Sequence, residues 1–124
     1  MSVGPADLLG LATALCRGAT EVEWRASIGR AYYGAYHTAE AWHRALPVPG
    51  SAPGGVGVHE TLIRCLTTPR VVGKQALKSR AIGYMLRQQK TWRAEADYDL
   101  SSSVDLQKAQ TAVASAAKLI EEAV

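Results

Sequence analysis

Apolar residues recur along most of the chain at intervals of three and four, the spacing that places them on one face of an α-helix. No stretch alternates apolar and polar residues for long enough to predict a strand. Alanine, a strong helix former, is abundant, and phenylalanine is absent. The pattern therefore predicts an all-α protein, an up-and-down bundle of four main helices with one short helix.

Capping and breaking residues divide this pattern into helices. The first is predicted to begin near Pro5 and to stop at Gly18. Thr20 and Glu23 have capping-box spacing and open a long second helix that continues to about Leu46. Further helices are predicted at 58–66 and 74–97, and the last one from the Ser102 to Asp105 region onward.

The segment PVPGSAPGGVG, at positions 47–57, interrupts the helical pattern. Its proline and glycine content predicts a flexible loop. We interpret it as a loop within one domain, because a chain of 124 residues is too short for a second core. We therefore expect a single helical domain over residues 1–124.

The long second helix is predicted to have two different faces. One narrow stripe is apolar and aromatic, and we predict that it faces the core. Its members are Trp24, Ile28, Tyr32, Ala35, Ala39, Trp42 and Leu46. Arg30 and His37, seven residues apart, project from roughly the opposite side. The small residues around them, Ala26, Gly34 and Ala41, would let another helix approach closely, so we expect a packing partner there.

Composition and charge narrow the function classes only slightly. The net charge of +3 permits contact with RNA or another acidic partner without requiring it. Cys16 and Cys65 each lie in an apolar helical pattern and belong to no metal or redox motif, so we expect both to be reduced core residues and expect no metal or cofactor. No segment has the length of a membrane span and the first residues do not read as a leader, which favours a cytoplasmic protein.

The sequence RAYYGAYH, from Arg30 to His37, resembles the signature of the HEPN superfamily, an arginine followed after four to six residues by a histidine. The double tyrosine within it, His59 at the start of the next helix, the sequence RAEADY from Arg93 to Tyr98 and an alanine-rich last helix are similar to a small single-domain HEPN branch. The resemblance covers nearly the whole chain.

The resemblance implies a helical bundle that dimerises and acts as a metal-independent endoribonuclease in toxin–antitoxin systems or phage defence. Arg30 and His37 would be the catalytic pair, with two copies of each at a cleft shared by a homodimer. His37 would transfer a proton to or from RNA, whose own 2′-hydroxyl is the nucleophile, and Arg30 would stabilise charge on the phosphate. Ala26, Gly34 and Ala41 would then line the dimer seam. Tyr33, near the pair, is expected to orient the histidine or to stack on a base, although packing at the seam explains it equally well.

Other cations are weaker candidates. Four cations are candidates for phosphate contacts: Arg44, Arg87, Lys90 and Arg93. A solvated surface position is the default interpretation for each of them. For Arg93 we prefer a polar clasp with Asp97 at the helix end. His43 and His59 are assigned to the surface or to loop ends, and Trp24, Trp42 and Trp92 to the core.

An alternative function is a non-catalytic HEPN module that partners or regulates a nucleotidyltransferase. Ala31, where active family nucleases often carry a polar residue, and the modest net charge favour it. An antitoxin is a further expected partner under the toxin interpretation. Binding of a nucleotide or small ligand within the bundle ranks last, because the chain has no phosphate-binding glycine motif.

Overall fold

The structure, a computed structural model, describes residues 2–52 and 54–124. Over these ranges the chain forms five helices and no strand. They are α1 (Pro5–Cys16), α2 (Glu21–Arg44), α3 (Val58–Thr67), α4 (Lys74–Tyr98) and α5 (Leu106–Glu122). The predicted all-α class and the order of the helices are confirmed, with most boundaries displaced by only one or two residues.

Side-chain caps mark the starts of α2 and α5. The hydroxyl of Thr20 accepts a hydrogen bond from the backbone N–H of Glu23 at 3.3 Å and donates one to the Glu23 carboxylate at 2.7 Å. Asp105 accepts from the backbone N–H of Lys108 at 2.9 Å. Each cap satisfies one of the backbone donors that the first turn leaves without a partner, which explains why α2 and α5 begin where they do.

Helix α2 lies at the centre of the bundle and contacts the other four helices. Its predicted core stripe is confirmed: Ile28, Tyr32, Ala35 and Ala39 are essentially fully buried, and Leu46 is buried. The three tryptophans are partly buried at the edges of the core. The large side chains that meet the stripe from the other helices are Ile63, Leu66, Ile82, Leu86 and Leu119.

The face opposite this stripe is covered in part by α1 of the same chain. A Cβ atom on Gly34 would lie 3.2 Å from the carbonyl oxygen of Pro5 and 3.6 Å from the backbone nitrogen of Leu9. Gly34 is therefore buried within one chain, which corrects its expected place on an outward seam. The pattern of small residues along α2 indicated that a helix packs against this face, but it did not indicate which helix. Ala26 and Ala41 are exposed.

A second glycine sets the position of α3. A Cβ atom on Gly83 of α4 would lie 2.9 Å from Cβ of Leu66 and 2.8 Å from Cγ2 of Thr67. The backbone of α4 thus passes close to the end of α3 because this position has no side chain. This approach holds α3 beside α2 and α4, where the first turn of α3 reaches the aromatic residues of α2.

A buried cation joins α2 to the end of α4. Nη1 of Arg25 donates to the carbonyl oxygens of Glu95, Ala96 and Asp99 at 3.2, 3.0 and 3.0 Å, and Nη2 donates to the carbonyl oxygen of Ser102. One of them, the carbonyl of Ala96, belongs to the last turn of α4, where carbonyls lack an intrahelical donor, and those of Asp99 and Ser102 belong to the segment that follows. Arg25 therefore fixes the C-terminal end of α4 against α2.

Both cysteines are free thiols, with Cys65 buried and Cys16 partly exposed, so the expectation of core positions holds fully for Cys65 only. Among residues 2–52 and 54–124, none of the helices is both long enough and apolar enough to cross a membrane.

Candidate functional site

Five aromatic side chains from α2 and α3 form one cluster at the surface of the bundle. Tyr32 and Tyr36, and likewise Tyr33 and His37, are four residues apart on α2 and so lie next to each other on its surface. His59, in the first turn of α3, lies against three of them, with its ring centroid 5.5 Å from Tyr32, 6.0 Å from Tyr33 and 4.4 Å from Tyr36. We call these five residues the Tyr/His cluster.

Arg30 and His37, the predicted catalytic pair, both lie near the ring of Tyr33. Cζ of Arg30 lies 5.1 Å from the centroid of the Tyr33 ring, and the ring of His37 lies 6.3 Å from it. His37 is exposed, and Arg30 is partly buried. Within the part of the chain that the structure describes, Arg30 has no carboxylate partner. The structure thus places a cation and an exposed imidazole around one tyrosine ring.

His59 was expected at the surface or at a loop end, and it is partly exposed in the first turn after the loop, but the structure also places it in the Tyr/His cluster. Its Nδ1 lies 2.6 Å from the hydroxyl oxygen of Tyr32, which is fully buried. Partial burial lowers the pKa of His59, and the positive charges of Arg93 and Lys90 act in the same direction. Burial also raises the pKa of Tyr32 far above its usual range. A neutral imidazole and a protonated phenol therefore meet at this bond.

Arg93 forms the expected clasp and also reaches the cluster. Its Nε donates to Oδ2 of Asp97 at 2.9 Å, and its Nη2 donates to the hydroxyl of Tyr33 at 3.2 Å. Its guanidinium lies over the rings of Tyr33 and Tyr98, at 5.5 and 5.1 Å. The ion pair between Arg93 and Asp97 at the end of α4 therefore also borders the Tyr/His cluster.

The other cations near the cluster are paired with carboxylates. Glu60 on α3 accepts from Arg87 and from Lys90, both at 3.2 Å. Partial burial acts to raise the pKa of Glu60, but Lys90 and Arg87 lower it overall. Arg44 lies 3.4 Å from Glu40 and is exposed. All four predicted phosphate-contact residues, Arg44, Arg87, Lys90 and Arg93, thus have an acidic partner.

The surface around the cluster is open. A depression of about 300 Å³ lies beside His37, between the start of α1 at Pro5 and Leu8 and the end of α2 at Ala41. A second, of about 270 Å³, lies at the Glu60 side of the cluster. The residues that the structure describes include no group of three or more side chains arranged to hold a metal ion.

Ala31, the residue after the motif arginine, is fully buried in the main core. It belongs to the same buried core cluster as Tyr32 and Tyr36. A polar side chain at this position would be buried among apolar residues. The burial of this position in the core thus accounts for a small apolar residue there.

No protein-family model, curated protein or solved structure matches the chain.

Proposed function

We propose that this protein is a cytoplasmic, metal-independent endoribonuclease of the HEPN type, with a role in a toxin–antitoxin system or phage defence, and that Arg30 and His37 are its catalytic pair. One observation carries the proposal. An arginine that lacks a carboxylate partner among the described residues and an exposed histidine lie around the same tyrosine ring, at 5.1 and 6.3 Å. The neighbouring cations are already paired, which leaves Arg30 the most available for an anionic ligand.

The proposed reaction uses the chemistry of RNA itself. The 2′-hydroxyl oxygen attacks the adjacent phosphorus while its proton passes to a base, and the bond to the 5′-oxygen breaks as that oxygen gains a proton. The products are a 2′,3′-cyclic phosphate and a 5′-hydroxyl end. His37 transfers a proton in this sequence, because an imidazole changes its charge near neutral pH. Arg30 stabilises the negative charge on the non-bridging oxygens.

We further propose that the active form is a homodimer. In one chain His37 lies on an open surface, and a second copy would exclude water from it and supply a second Arg30 and His37. Ala26 and Ala41 are exposed on α2 on either side of this pair and remain the proposed seam residues. Gly34 is not retained in the seam, because α1 already covers it.

Cleavage of single-stranded RNA in the presence of EDTA tests the proposal. The wild-type protein is expected to produce cyclic-phosphate ends, and His37→Ala to lower the cleavage rate by about 10²-fold or more. Arg30→Ala is expected to have a comparable effect. The matched control is His43→Gln, which changes a histidine on the same helix outside the cluster and should cleave at the wild-type rate. Cleavage that persists unchanged in His37→Ala would contradict the catalytic assignment.

The second candidate, a non-catalytic helical module that binds a nucleotidyltransferase, is favoured by the pairing of the other cations. Glu40, Glu60 and Asp97 offset part of the charge of Arg44, Arg87, Lys90 and Arg93, which reduces the free charge that this surface offers to RNA. Co-purification with the product of a neighbouring gene, unaffected by Arg30→Ala and accompanied by no cleavage, would favour this module over the ribonuclease.

A further inference from the structure

The hydrogen bond between Tyr32 and His59 determines which imidazole nitrogen carries the proton. The Tyr32 hydroxyl is buried, and among the described residues its one partner is Nδ1 of His59, at 2.6 Å. A buried hydroxyl proton needs an acceptor, and Nδ1 supplies it only when that nitrogen is unprotonated. A neutral imidazole with an unprotonated Nδ1 carries its proton on Nε2.

The surroundings keep this imidazole neutral. Burial comes first among the effects that lower the pKa of His59, followed by the charges of Arg93, Lys90 and His37. The nearest carboxylate in sequence, Glu60, is engaged by Arg87 and Lys90 and does not bond the imidazole. The face of Tyr36 covers one side of the ring, with the centroids 4.4 Å apart. His59 is therefore a neutral donor in a positively charged setting.

The Nε2 atom of His59 is not fully buried. In residues 2–52 and 54–124 this nitrogen has no hydrogen-bond partner. Among the same residues, the one fully buried side-chain polar atom without a partner is Oε1 of Gln89, so Nε2 of His59 keeps some exposure. An N–H that is not fully buried and feels the positive charges of Arg93 and Lys90 suits an anionic oxygen acceptor. His59 lies in the same cluster as His37, since both rings lie beside that of Tyr36, and Arg30 lies over the Tyr33 ring of this cluster.

We propose that Tyr32 holds His59 in the tautomer protonated on Nε2, and that this N–H donates a hydrogen bond to a phosphate oxygen of RNA bound at the Tyr/His cluster. The RNA substrate rests on the proposed ribonuclease function. The role differs from that of His37, because His59 binds and stabilises the phosphate without giving up its proton. A fixed neutral donor needs no rearrangement when charge builds on the phosphate during cleavage.

The tautomer is tested first, by nitrogen-15 NMR of the histidine rings at pH 7.5. In the wild-type protein, Nε2 of His59 is expected to show the chemical shift of a protonated nitrogen and Nδ1 that of an unprotonated one. Tyr32→Phe keeps the buried ring and removes the hydroxyl, so the two nitrogens should move towards a mixture of tautomers. A wild-type His59 protonated on Nδ1 would overturn the proposal.

Two substitutions of His59 then separate its two nitrogens. The amide nitrogen of His59→Gln takes the place of Nε2 and keeps a donor, whereas the amide of His59→Asn takes the place of Nδ1 and leaves no donor at the Nε2 position. We expect His59→Asn to weaken binding of a 2′-O-methyl oligonucleotide and to slow RNA cleavage about tenfold or more, and His59→Gln to stay within about threefold of wild type. Equal effects of the two variants, or none, would overturn the donor role.

A titration with inorganic phosphate distinguishes failure of this inference from failure of the proposed function. Phosphate should shift the Nε2 resonance of His59 in wild type and in His37→Ala, whether or not the protein cleaves RNA. If phosphate shifts this resonance and no cleavage occurs, the donor site stands and the ribonuclease function does not. If RNA is cleaved and phosphate leaves the resonance unchanged, the ribonuclease function stands and the donor site does not.

Discussion

Nη1 of Arg25 lies 3.0 Å from the carbonyl oxygen of Ala96, so a buried cation on α2 caps the end of α4. The same nitrogen reaches Asp99, two residues beyond Asp97. Because Arg93 lies in the last turns of α4, this cap also fixes the helix segment that contacts Tyr33. Arg25 takes no part in the proposed reaction and still helps to position Arg93.

Replacing Arg25 should destabilise the fold strongly. Arg25→Met removes several hydrogen bonds from a charged donor, among them the buried one to the carbonyl oxygen of Ala96, so we expect a loss of about 3 kcal/mol in the free energy of unfolding. Arg25→Lys should lose nearly as much, because an ammonium group cannot span the carbonyls of Ala96 and Ser102. Urea denaturation measures both. Arg80→Met, at an exposed position on α4, is the control, and a loss below about 0.5 kcal/mol in Arg25→Met would contradict the capping role.

We expect Gly34 to contribute to the stability of the folded monomer, because α1 packs against it. Gly34→Leu places a side chain where Pro5 and Leu9 already lie, so we expect it to displace α1 and lower stability by about 1–3 kcal/mol. Ala26→Leu, at an exposed position, should leave thermal unfolding of the monomer unchanged and weaken self-association in sedimentation. A Gly34→Leu protein of wild-type stability with a weakened dimer would return Gly34 to the seam.

Gln89 should tolerate an apolar substitute of similar shape. Its Nε2 donates to the carbonyl oxygen of Ala112 at 2.8 Å, but its buried Oε1 has no partner in the described residues. Gln89→Met loses one hydrogen bond and also removes an unpaired acceptor, so we expect a change within about 1 kcal/mol. Gln89→Glu buries an unpaired carboxylate and should be far less stable, with part of the loss recovered at low pH. Denaturation curves at two pH values check both expectations, and a large loss in Gln89→Met would show that Oε1 has a partner.

His43 should make stability depend on pH. The backbone N–H of Gly50 donates to its Nε2 at 2.9 Å, which ties the loop after α2 to that helix. Burial lowers the pKa of His43 below the value of 6.5 that it has when unfolded. The unfolded state therefore binds the proton more readily, so this stabilisation is present above pH 6.5 and is lost as the pH falls through the folded-state pKa.

The matched variant for this effect is His43→Gln, whose amide oxygen can accept the same hydrogen bond and does not titrate. Urea denaturation between about pH 8 and pH 5 should show a smaller loss of stability on acidification in His43→Gln than in wild type. His59, whose pKa is also lowered, contributes with the same sign and is present in both proteins. Identical pH profiles would show that the tie to Gly50 does not depend on the charge of His43.

Local signals in the sequence were sufficient to predict the helices. Thr20 and Asp105 satisfy the first turns of α2 and α5, and the proline- and glycine-rich segment ends the pattern after α2. The core stripe of α2 followed from helical spacing, and the buried Tyr32 and Ile28 lie on it. Such signals depend only on neighbours within one or two turns, which is why they could be predicted.

The parts of the site that could not be predicted depend on contacts between distant segments. Arg25 bonds carbonyls about 70 residues away, and no local pattern indicates such a partner. His59 joins the cluster through a bond to Tyr32, 27 residues away, and Gly83 lets α4 approach the end of α3, although a sequence shows this glycine without showing what approaches it. For the same reason Gly34 indicated a close packing partner but not that α1 would be that partner.

The carboxylates that hold the cations around the Tyr/His cluster also affect how a ligand arrives. Glu60 offsets one of the two charges of Arg87 and Lys90, and Asp97 offsets that of Arg93. Pairing of this kind weakens the long-range attraction of the surface for a polyanion, so encounter would be slower, and would vary less with ionic strength, than at a surface of unpaired cations. Selection among ligands would then occur after contact, through the fit of a phosphate to a few fixed donors.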